Sequence, residues 1–333
     1  MTNTITVNPK NLVGRTALVP ITEMAQFQTL GQILSGTEVE ATDYYTMFLE
    51  RGCSPEEAAK NVRTFLERRD SAVSGRPLDI GAQIGPRGEI IIDRGYESAA
   101  IAAHLGIDTL SIEITARDPQ WQNLIDRLRR VRNSDFSYMP IFPEREHPEF
   151  QGWNFARGRQ RAEMIAADTG DLTGQRWLDA GSLNGYHTRM LNLAGAEAHG
   201  VEMHKPYAEI AGILNKVIGT DCRYHNEELT AWLKDNNAEK FDGIVCLSII
   251  HNIAQAGFPE ATKQAFAQLS KMAPIMYFDI GQANEGGQVT GSGLDLREEN
   301  LERFIRTNTQ YRTVTSLGED TQYYNRKLFK LER

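Results

Sequence analysis

The sequence is poor in cysteine and has no long hydrophobic run. Its three cysteines, Cys53, Cys222 and Cys246, are odd in number and far apart, and no CxxC pair accompanies them. This pattern argues against a disulfide framework and a structural zinc, and it favours a reducing compartment. The start, MTNTITVNPKNLVG, has no basic stretch followed by an apolar core, and nowhere do about 18 apolar residues follow one another. We therefore expect a cytoplasmic protein that is neither exported nor inserted in a membrane.

Basic residues are also fewer than acidic ones. The chain has 36 Lys and Arg and 44 Asp and Glu, which gives a net charge of -8. Because phosphate contacts need clustered cations, this balance disfavours a nucleic-acid partner without excluding one. Two arginine-rich runs are where such a partner would bind: Arg127, Arg129, Arg130 and Arg132 in RLRRVR, and Arg157, Arg159 and Arg161 in FARGRQR. The simpler interpretation is a solvated helix face whose arginines pair with nearby acids.

Length and composition predict two folded domains. The chain has 333 residues, 41% hydrophobic and 24% charged, which is too long for one typical core and too apolar for disorder. Residues 1–132 are expected to form a small α/β domain and residues 161–333 a larger one. Residues 133–160, rich in proline, aromatics and turn formers, are expected to form a linker or lid.

Residues 54–132 contain clear helix and strand signals. In SPEEAAKNVRTFLERRDS, Ser54, Pro55 and Glu57 have the pattern of a capping box, so a helix is predicted from Pro55 to about Arg69. EIIID (89–93) indicates a buried strand, YESAAIAAHLG a helix, and the alternating DTLSIEIT (108–115) a second strand. A further helix is predicted from Pro119 to Arg132.

From residue 161 onward, strands and helices alternate regularly. The strands are RWLDA, EAHGVEM, CRYHN, FDGIVCLS and PIMYFDI, and helical stretches such as 161–168, 206–217 and 259–271 lie beside them. This alternation predicts βαβ units and a doubly wound, mostly parallel sheet. After one more helix in LDLREENLERFIRT, the runs YRTVTSL and YYNRKLFKL predict an antiparallel hairpin at the end.

Two motifs point to an adenosine-type ligand. In WLDAGSLNG (177–185), a strand enters a turn in which Gly181 and Gly185 allow close approach of a ligand, and Asp179 stands just before that turn. Glu202 ends the second strand roughly 20 residues later, where an acid can accept both hydroxyls of a ribose. These features alone do not separate NAD from S-adenosylmethionine (SAM), although the loop lacks the full G-x-G-x-x-G of dinucleotide sites.

The order of the motifs favours SAM over NAD, because it resembles the order in a known family. LDAGSLNGYHTRML, GVE, HNEEL and FDGIVCLSIIHNI resemble the successive motifs of class I SAM-dependent methyltransferases over about residues 160–333, and the terminal hairpin resembles that family's reversed last strand. The family's fold is a seven-stranded Rossmann-like sheet, and its cofactor is SAM, with S-adenosylhomocysteine (SAH) as product. The resemblance implies that Asp179, Gly181 and Gly185 surround the amino acid part of SAM, that Glu202 holds the ribose, that Asn226 or Glu227 approaches the adenine amine, and that Leu247 or Ser248 lines the pocket floor. Ser182 and Met203 are also expected to be cofactor-binding residues. The sequence departs from many members at Leu183, where they have a central glycine.

The catalytic candidates are His251 and Asp279. Much of the acceleration of methyl transfer comes from alignment and desolvation, and a general base is needed only for a protonated acceptor. His251 follows the fourth strand, where the family often places residues facing the acceptor, whereas a helix-start histidine bonded to backbone is the alternative. Asp279 ends the fifth strand, and a surface carboxylate is the alternative there. No histidines or acids are spaced as a metal set, so no metal is expected.

Two further resemblances concern the partners. EIIIDRGYESAAIAAHLGIDTLSIEIT resembles the core of ParB or sulfiredoxin-like domains. The active polar turn of that family is rich in His and Arg, whereas here it is Asp93-Arg94-Gly95-Tyr96. A degenerate domain that helps to bind the acceptor or forms a homodimer is therefore favoured over a second active site. GYHTRMLNLAGA is similar to a stretch of tRNA wobble-uridine carboxymethyl-type transferases.

The sequence thus predicts an enzyme that transfers a methyl group to an oxygen or nitrogen of a small metabolite or sugar-type acceptor. Two alternatives stay open. One is a methyl or carboxymethyl transferase that modifies a base of tRNA or another RNA, and the other is a non-catalytic, regulatory SAM-binding module.

Overall fold

The computed structural model describes residues 4–132, 135–155, 158–250, 253, 259–279, 298–321 and 326–333. The chain forms two compact units, one of Met1–Asn123 with His147–Gln151 and the other of Leu124–Glu146 with Gly152–Arg333. These limits differ from the predicted 1–132, 133–160 and 161–333. Most of the expected linker belongs to the second unit, and only its residues 147–151 belong to the first.

The first unit is built on a five-stranded mixed sheet. Its strands are β1 (Thr4–Val7), β2 (Leu12–Val13), β3 (Gly81–Ile84), β4 (Ile90–Arg94) and β5 (Leu110–Arg117), in the order β1-β5-β3-β4-β2. β3 pairs parallel with β5 and antiparallel with β4. The strands predicted in EIIID and DTLSIEIT are confirmed as β4 and β5, while β1 to β3 are additional.

The helices of the N-terminal region are α1 (Ala25–Leu34), α2 (Asp43–Glu50), α3 (Pro55–Val73), α4 (Tyr96–His104) and α5 (Pro119–Arg132). The capping box of α3 is confirmed, because the Ser54 hydroxyl accepts from Glu57 N–H and the Glu57 side chain accepts from Ser54 N–H. The helix continues past the predicted end at Arg69 to Val73. Within the described residues, no helix has both the length and the apolar character needed to cross a bilayer.

The second unit contains a seven-stranded sheet. Its elements are, in chain order, the short strands β6 (Phe136–Ser137) and β7 (Asn154–Phe155), α6 (Arg159–Thr169), β8 (Arg176–Ala180), α7 (Tyr186–Leu193), β9 (Glu197–Val201), α8 (Lys205–Ile218), β10 (Arg223–His225), α9 (Leu229–Asp235), β11 (Gly243–Cys246), α10 (Pro259–Met272), β12 (Ile275–Asp279), α11 (Glu298–Asn308), β13 (Thr313–Asp320) and β14 (Arg326–Glu332). The sheet order is β10-β9-β8-β11-β12-β14-β13, and β6 pairs separately with β7.

Strands β8 to β12 are all parallel, whereas β14 is antiparallel to both β12 and β13. The predicted doubly wound sheet and its terminal hairpin are therefore confirmed. Side chains of β11 alternate between two cores: Ile244 and Cys246 belong to one, and Val245 belongs to the other. Because both faces are covered, the strand is apolar throughout, and the carboxyl ends of all five parallel strands meet at one edge.

Candidate functional site

The carboxyl edge of the parallel sheet carries the residues that the motifs predicted. The loop 181–185 follows β8, Glu202 follows β9, Asn226 follows β10, Ser248 follows β11, and Asp279 ends β12. The strand order reverses between β8 and β11, which is the position where doubly wound sheets generally bind their ligands. One parallel edge thus brings these side chains together despite their separation in sequence.

The loop after β8 requires glycine at both of its ends. Gly181 has a φ of +82° and Gly185 a φ of +75°, which is the left-handed region that glycine favours. A Cβ on Gly185 would also lie 2.4 Å from the Tyr224 hydroxyl. Leu183, the departure from the family pattern, adopts a φ of +50°, an unfavourable conformation for a leucine.

Backbone amides of this loop and of the start of α7 already have partners. Thr188 N–H donates to Asp179 Oδ2 at 3.0 Å, the Thr188 hydroxyl donates to the same oxygen at 2.7 Å, and Tyr186 N–H donates to Asn184 Oδ1 at 3.2 Å. The helix start is therefore capped by side chains of the protein. A pyrophosphate needs such amides to be free.

Asp179 lies beneath the loop. It is 3% exposed, and burial raises the pKa of its carboxyl to about 7, while the hydrogen bonds from Thr188 oppose that rise. Ser182 is also buried, with its hydroxyl free of hydrogen-bond partners and directed toward Gly200. The predicted Asp179 and Ser182 thus support the loop from below, while Gly181 and Gly185 shape its course.

Glu202 is held rigidly with part of its carboxylate unused. Its Oε2 accepts from Leu183 N–H at 2.9 Å and its Oε1 from His204 N–H at 2.7 Å. A carboxylate offers about four acceptor positions, so two remain for the hydroxyls of a ribose. Asn226 Nδ2 donates to the carbonyls of Glu202 and Met203 at 2.8 and 3.1 Å, which fixes this turn against the end of β10.

The remaining predicted cofactor residues differ in accessibility. Met203 is 59% exposed, and Asn226 and Glu227 are also exposed. Leu247 is buried at 4% exposure. Ser248 is half-buried with a φ of +59°, which is unusual for a serine. Met203, Asn226 and Glu227 are thus open to solvent, whereas Leu247 is buried.

Asp279 sits in a buried ionic cluster. Its side chain is wholly buried, binds the Arg161 guanidinium, and accepts from the backbone N–H of Ser248. Arg161 is equally buried and also lies 3.1 Å from Asp320, while Arg326 lies 3.9 Å from Asp279. The predicted alternative of a surface carboxylate is therefore wrong, because a surface group would not be enclosed by two arginines. His251 lies outside the described residues.

Sequence reasoning missed Arg161 as part of this cluster and placed it in an exposed patch instead. The structure corrects that placement, since Arg161 is fully buried. Three other arginines of the two runs pair with acids: Arg127 with Glu209, Arg129 with Asp135, and Arg159 with Glu146. Across the described part of the chain, no group of three or more His, Cys, Asp or Glu residues is placed to hold a metal ion.

Comparisons with known proteins bear on the fold. No family model and no curated protein matches the chain. Among solved structures, the bifunctional kinase-methyltransferase WbdD is 18% identical, with a TM-score of 0.50 over 63% of this chain and 45% of that one. Magnesium protoporphyrin IX methyltransferase (ChlM) from Synechocystis PCC 6803 with bound SAM is 15% identical, with a TM-score of 0.43 over 66% of this chain and 99% of that one.

The present chain therefore spans less than half the length of the WbdD chain. At this identity the likeness to WbdD shows the fold alone. That fold is the class I methyltransferase fold that the motifs predicted, with a seven-stranded sheet and a reversed β14.

Proposed function

We propose that this chain binds SAM at the carboxyl edge of the second unit and transfers a methyl group to an oxygen or nitrogen of a small metabolite or sugar-type acceptor, with SAH as product. The observation that carries the proposal is Glu202. Its carboxylate is fixed by two backbone amides, is 7% exposed, and stands beside a glycine loop at the switch point of the sheet.

The hydrogen bonds of the loop favour SAM over a dinucleotide. Thr188 and Tyr186 N–H groups are bound by Asp179 and Asn184, so they are not free for a pyrophosphate. SAM carries no phosphate, and its ammonium and sulfonium groups suit a loop that lies over the Asp179 carboxyl. The residues present therefore fit an adenosine with a cationic tail.

The position of each residue along the carboxyl edge of the sheet indicates which part of SAM it would contact. Glu202 would hold the ribose hydroxyls, and the exposed Met203 would cover the adenine, whose amine Asn226 Oδ1 or Glu227 would approach. Gly181 and Gly185 would allow the amino acid part to pass close to the backbone, with Asp179 and Ser182 beneath. Leu247 and Ser248 would form the floor.

The bound SAM would supply a methyl carbon made electrophilic by the sulfonium. The protein's part is to align the acceptor and exclude water. Asp279 is saturated by Arg161 and Ser248 and is therefore better suited to positioning Ser248 than to proton transfer. His251 remains the candidate for a general base if the acceptor atom is protonated.

A small acceptor is favoured over RNA because of the arginines. Arg127, Arg129 and Arg159 each pair with an acid, and Arg161 is buried, so these four offer little to a phosphate backbone. RNA base modification and non-catalytic SAM binding are the competing functions.

The first unit is proposed to be a degenerate ParB-like domain that serves acceptor binding or homodimer formation. In its polar turn, Asp93 binds Arg15 and accepts from Thr115 at 3.0 Å, and Arg94 binds Asp79 and Glu113. These side chains are engaged within the unit, which disfavours a second active centre.

Incubation with methyl-labelled SAM separates the three functions. We expect label to enter a small-molecule fraction of cell extract, with little change between about 50 and 200 mM salt. Label in an RNA fraction, lost steeply as salt rises, would favour the RNA enzyme instead. Tight SAM binding without label in any fraction would favour the regulatory module, and Glu202→Ala protein is the blank in each case.

A further inference from the structure

Five successive backbone carbonyls, 140–144, are bound by side chains from elsewhere in the second unit. Pro140 O accepts from Asn184 Nδ2 at 3.2 Å, Ile141 O from Arg189 Nη2 at 3.0 Å, Phe142 O from Arg159 Nη2 at 3.2 Å, Pro143 O from the Tyr186 hydroxyl at 3.3 Å and from Arg159, and Glu144 O from Arg159 Nη1 at 2.6 Å. Irregular segments usually leave such carbonyls to water. We call residues 138–146 the strap.

The donors come from two places. Arg159 belongs to the first turn of α6, and it also lies 3.0 Å from Glu146 within the strap. Asn184, Tyr186 and Arg189 belong to the glycine loop and to α7, which it leads into. The strap is therefore attached on one side to the loop that is proposed to hold the amino acid part of the cofactor.

Arg189 joins the strap to that loop directly. Its Nη1 donates to Asn184 O at 2.6 Å and its Nη2 to Ile141 O at 3.0 Å, and the residue is fully buried. No carboxylate of the described residues forms an ion pair with it. Burying a guanidinium costs free energy unless it is hydrogen-bonded. The two carbonyls therefore stabilise Arg189 in its buried position, and Arg189 in turn fixes the position of both carbonyls.

The strap is also braced internally. The Glu146 carboxylate accepts from Ile141 N–H at 3.2 Å, and burial raises the pKa of Glu146 while Arg159 opposes the rise. Met139 packs with Tyr186 and Ala162 in a small buried cluster against which Leu183 of the loop also lies. Leu183, the loop residue with the unfavourable φ, thus packs against a cluster that includes Met139 of the strap.

We infer that the strap and the glycine loop form one cooperative unit, in which Arg189 is a positioning residue and the strap sets the loop geometry for the cofactor. The inference rests on the proposed function for its ligand. It makes cofactor affinity depend on Arg159, which bonds the strap and lies over the Tyr186 ring, 6.0 Å from its centroid, but has no hydrogen bond to the described loop residues 181–185.

The test uses full-length Arg159→Gln and Arg189→Lys proteins, with Arg176→Gln as matched control. Arg176 is a partly buried arginine whose Nη1 lies 3.1 Å from Glu239 at the opposite, amino edge of the same sheet. SAH affinity is measured by calorimetry, and amide hydrogen exchange of residues 138–146 and 181–186 is measured with and without SAH.

In wild type and control, SAH should slow exchange in both segments. Arg159→Gln and Arg189→Lys should bind SAH roughly tenfold more weakly, as expected for loss of a hydrogen bond to a charged group. Both variants should also lose the SAH-dependent protection of the strap. Folded variants with wild-type affinity and wild-type protection would overturn the inference.

A wrong SAM-binding proposal would give a different result from a wrong coupling inference. If wild type does not bind SAH, the SAM-binding proposal is wrong, and the coupling is judged on the free protein. Faster exchange of residues 181–185 in Arg159→Gln would then support a single cooperative unit, since Arg159 contacts Tyr186 but has no hydrogen bond to these described loop residues. Faster exchange confined to residues 138–146 would contradict it.

Discussion

At the scale of single residues, the candidate site depends on polar groups that are buried and fixed rather than exposed. Glu202 accepts two backbone amides, and Asp179 accepts both the amide and the hydroxyl of Thr188. Such bonds pre-organise a site because the groups need not reorient when a ligand arrives. The same burial makes the ionisation of Asp179 sensitive to pH.

Asp179 should give the protein a stability that falls as pH rises. Its folded pKa of about 7 lies above the ordinary value of 3.8, so between these values the folded state keeps a proton that the unfolded chain has lost. The free energy of unfolding should therefore decrease from about pH 4 to pH 7, by on the order of 4 kcal/mol at most. Denaturant unfolding across this range measures the slope.

Asp179→Asn is the informative variant for that slope, because an amide oxygen can still accept from Thr188 but does not titrate. We expect a flatter profile than in wild type. An unchanged slope in the variant would assign the pH dependence to other groups.

Gly185 should tolerate no side chain. Gly185→Ala combines a left-handed φ with a Cβ 2.4 Å from the Tyr224 hydroxyl, and we expect a loss of about 2 kcal/mol or more in unfolding free energy. Gly212→Ala in α8 is the control, since apart from neighbouring residues and the backbone of its own helix no atom lies within 4 Å of its added Cβ, and it should gain up to about 1 kcal/mol. Equal stability of the two variants in denaturant unfolding would refute the steric account.

At the scale of elements, the sequence predicted most accurately where local signals and tertiary packing agree. β8 and α5 begin and end at the predicted residues, and the capping box of α3 forms as expected. Before residue 54 no element was predicted, and β1, β2, α1 and α2 were all missed. β1 and β2 have four and two residues and carry no clear periodicity, and α1 begins without a side-chain cap.

The polar contacts between distant parts of the chain could not be predicted from sequence. Arg161 and its partner Asp279 are 118 positions apart, and Arg189 and Ile141 are 48 apart. An arginine on a helix is ordinarily exposed, so a local pattern assigns it to the surface. Only the packing of α6 against the sheet shows that Arg161 is buried.

The pair between α6 and β12 should be important for stability. Asp279→Asn would leave Asp320 as the remaining carboxylate beside the buried Arg161, in a cluster that also contains the buried Arg326. Because one buried charge partner is lost, we expect a loss of about 3–5 kcal/mol in unfolding free energy. Glu302→Gln is the control, because its pair with Arg306, 2.8 Å apart, is exposed and should contribute less than about 1 kcal/mol. An Asp279→Asn protein as stable as wild type would contradict this prediction, because the buried pair with Arg161 would then contribute nothing measurable.

At the scale of the whole molecule, the net charge and the fold both agree with the proposed function. The net charge is -8, and Arg127, Arg129 and Arg159 of the two arginine-rich runs pair with acids, so these side chains offer little to a polyanionic partner. The second unit has the class I methyltransferase sheet, and its predicted cofactor residues lie along one edge. The central claim is therefore that this edge binds SAM.

Calorimetric titration of the full chain with SAM and SAH tests that claim most directly, with Glu202→Ala and Glu197→Ala measured beside wild type. Glu197 begins β9 at the amino edge, where it lies 3.0 Å from Arg223, so its loss should leave ligand binding intact. The account predicts binding by wild type and Glu197→Ala, and affinity at least about tenfold weaker in Glu202→Ala. Folded wild-type protein that binds neither ligand, or Glu202→Ala protein that binds as wild type does, would contradict it.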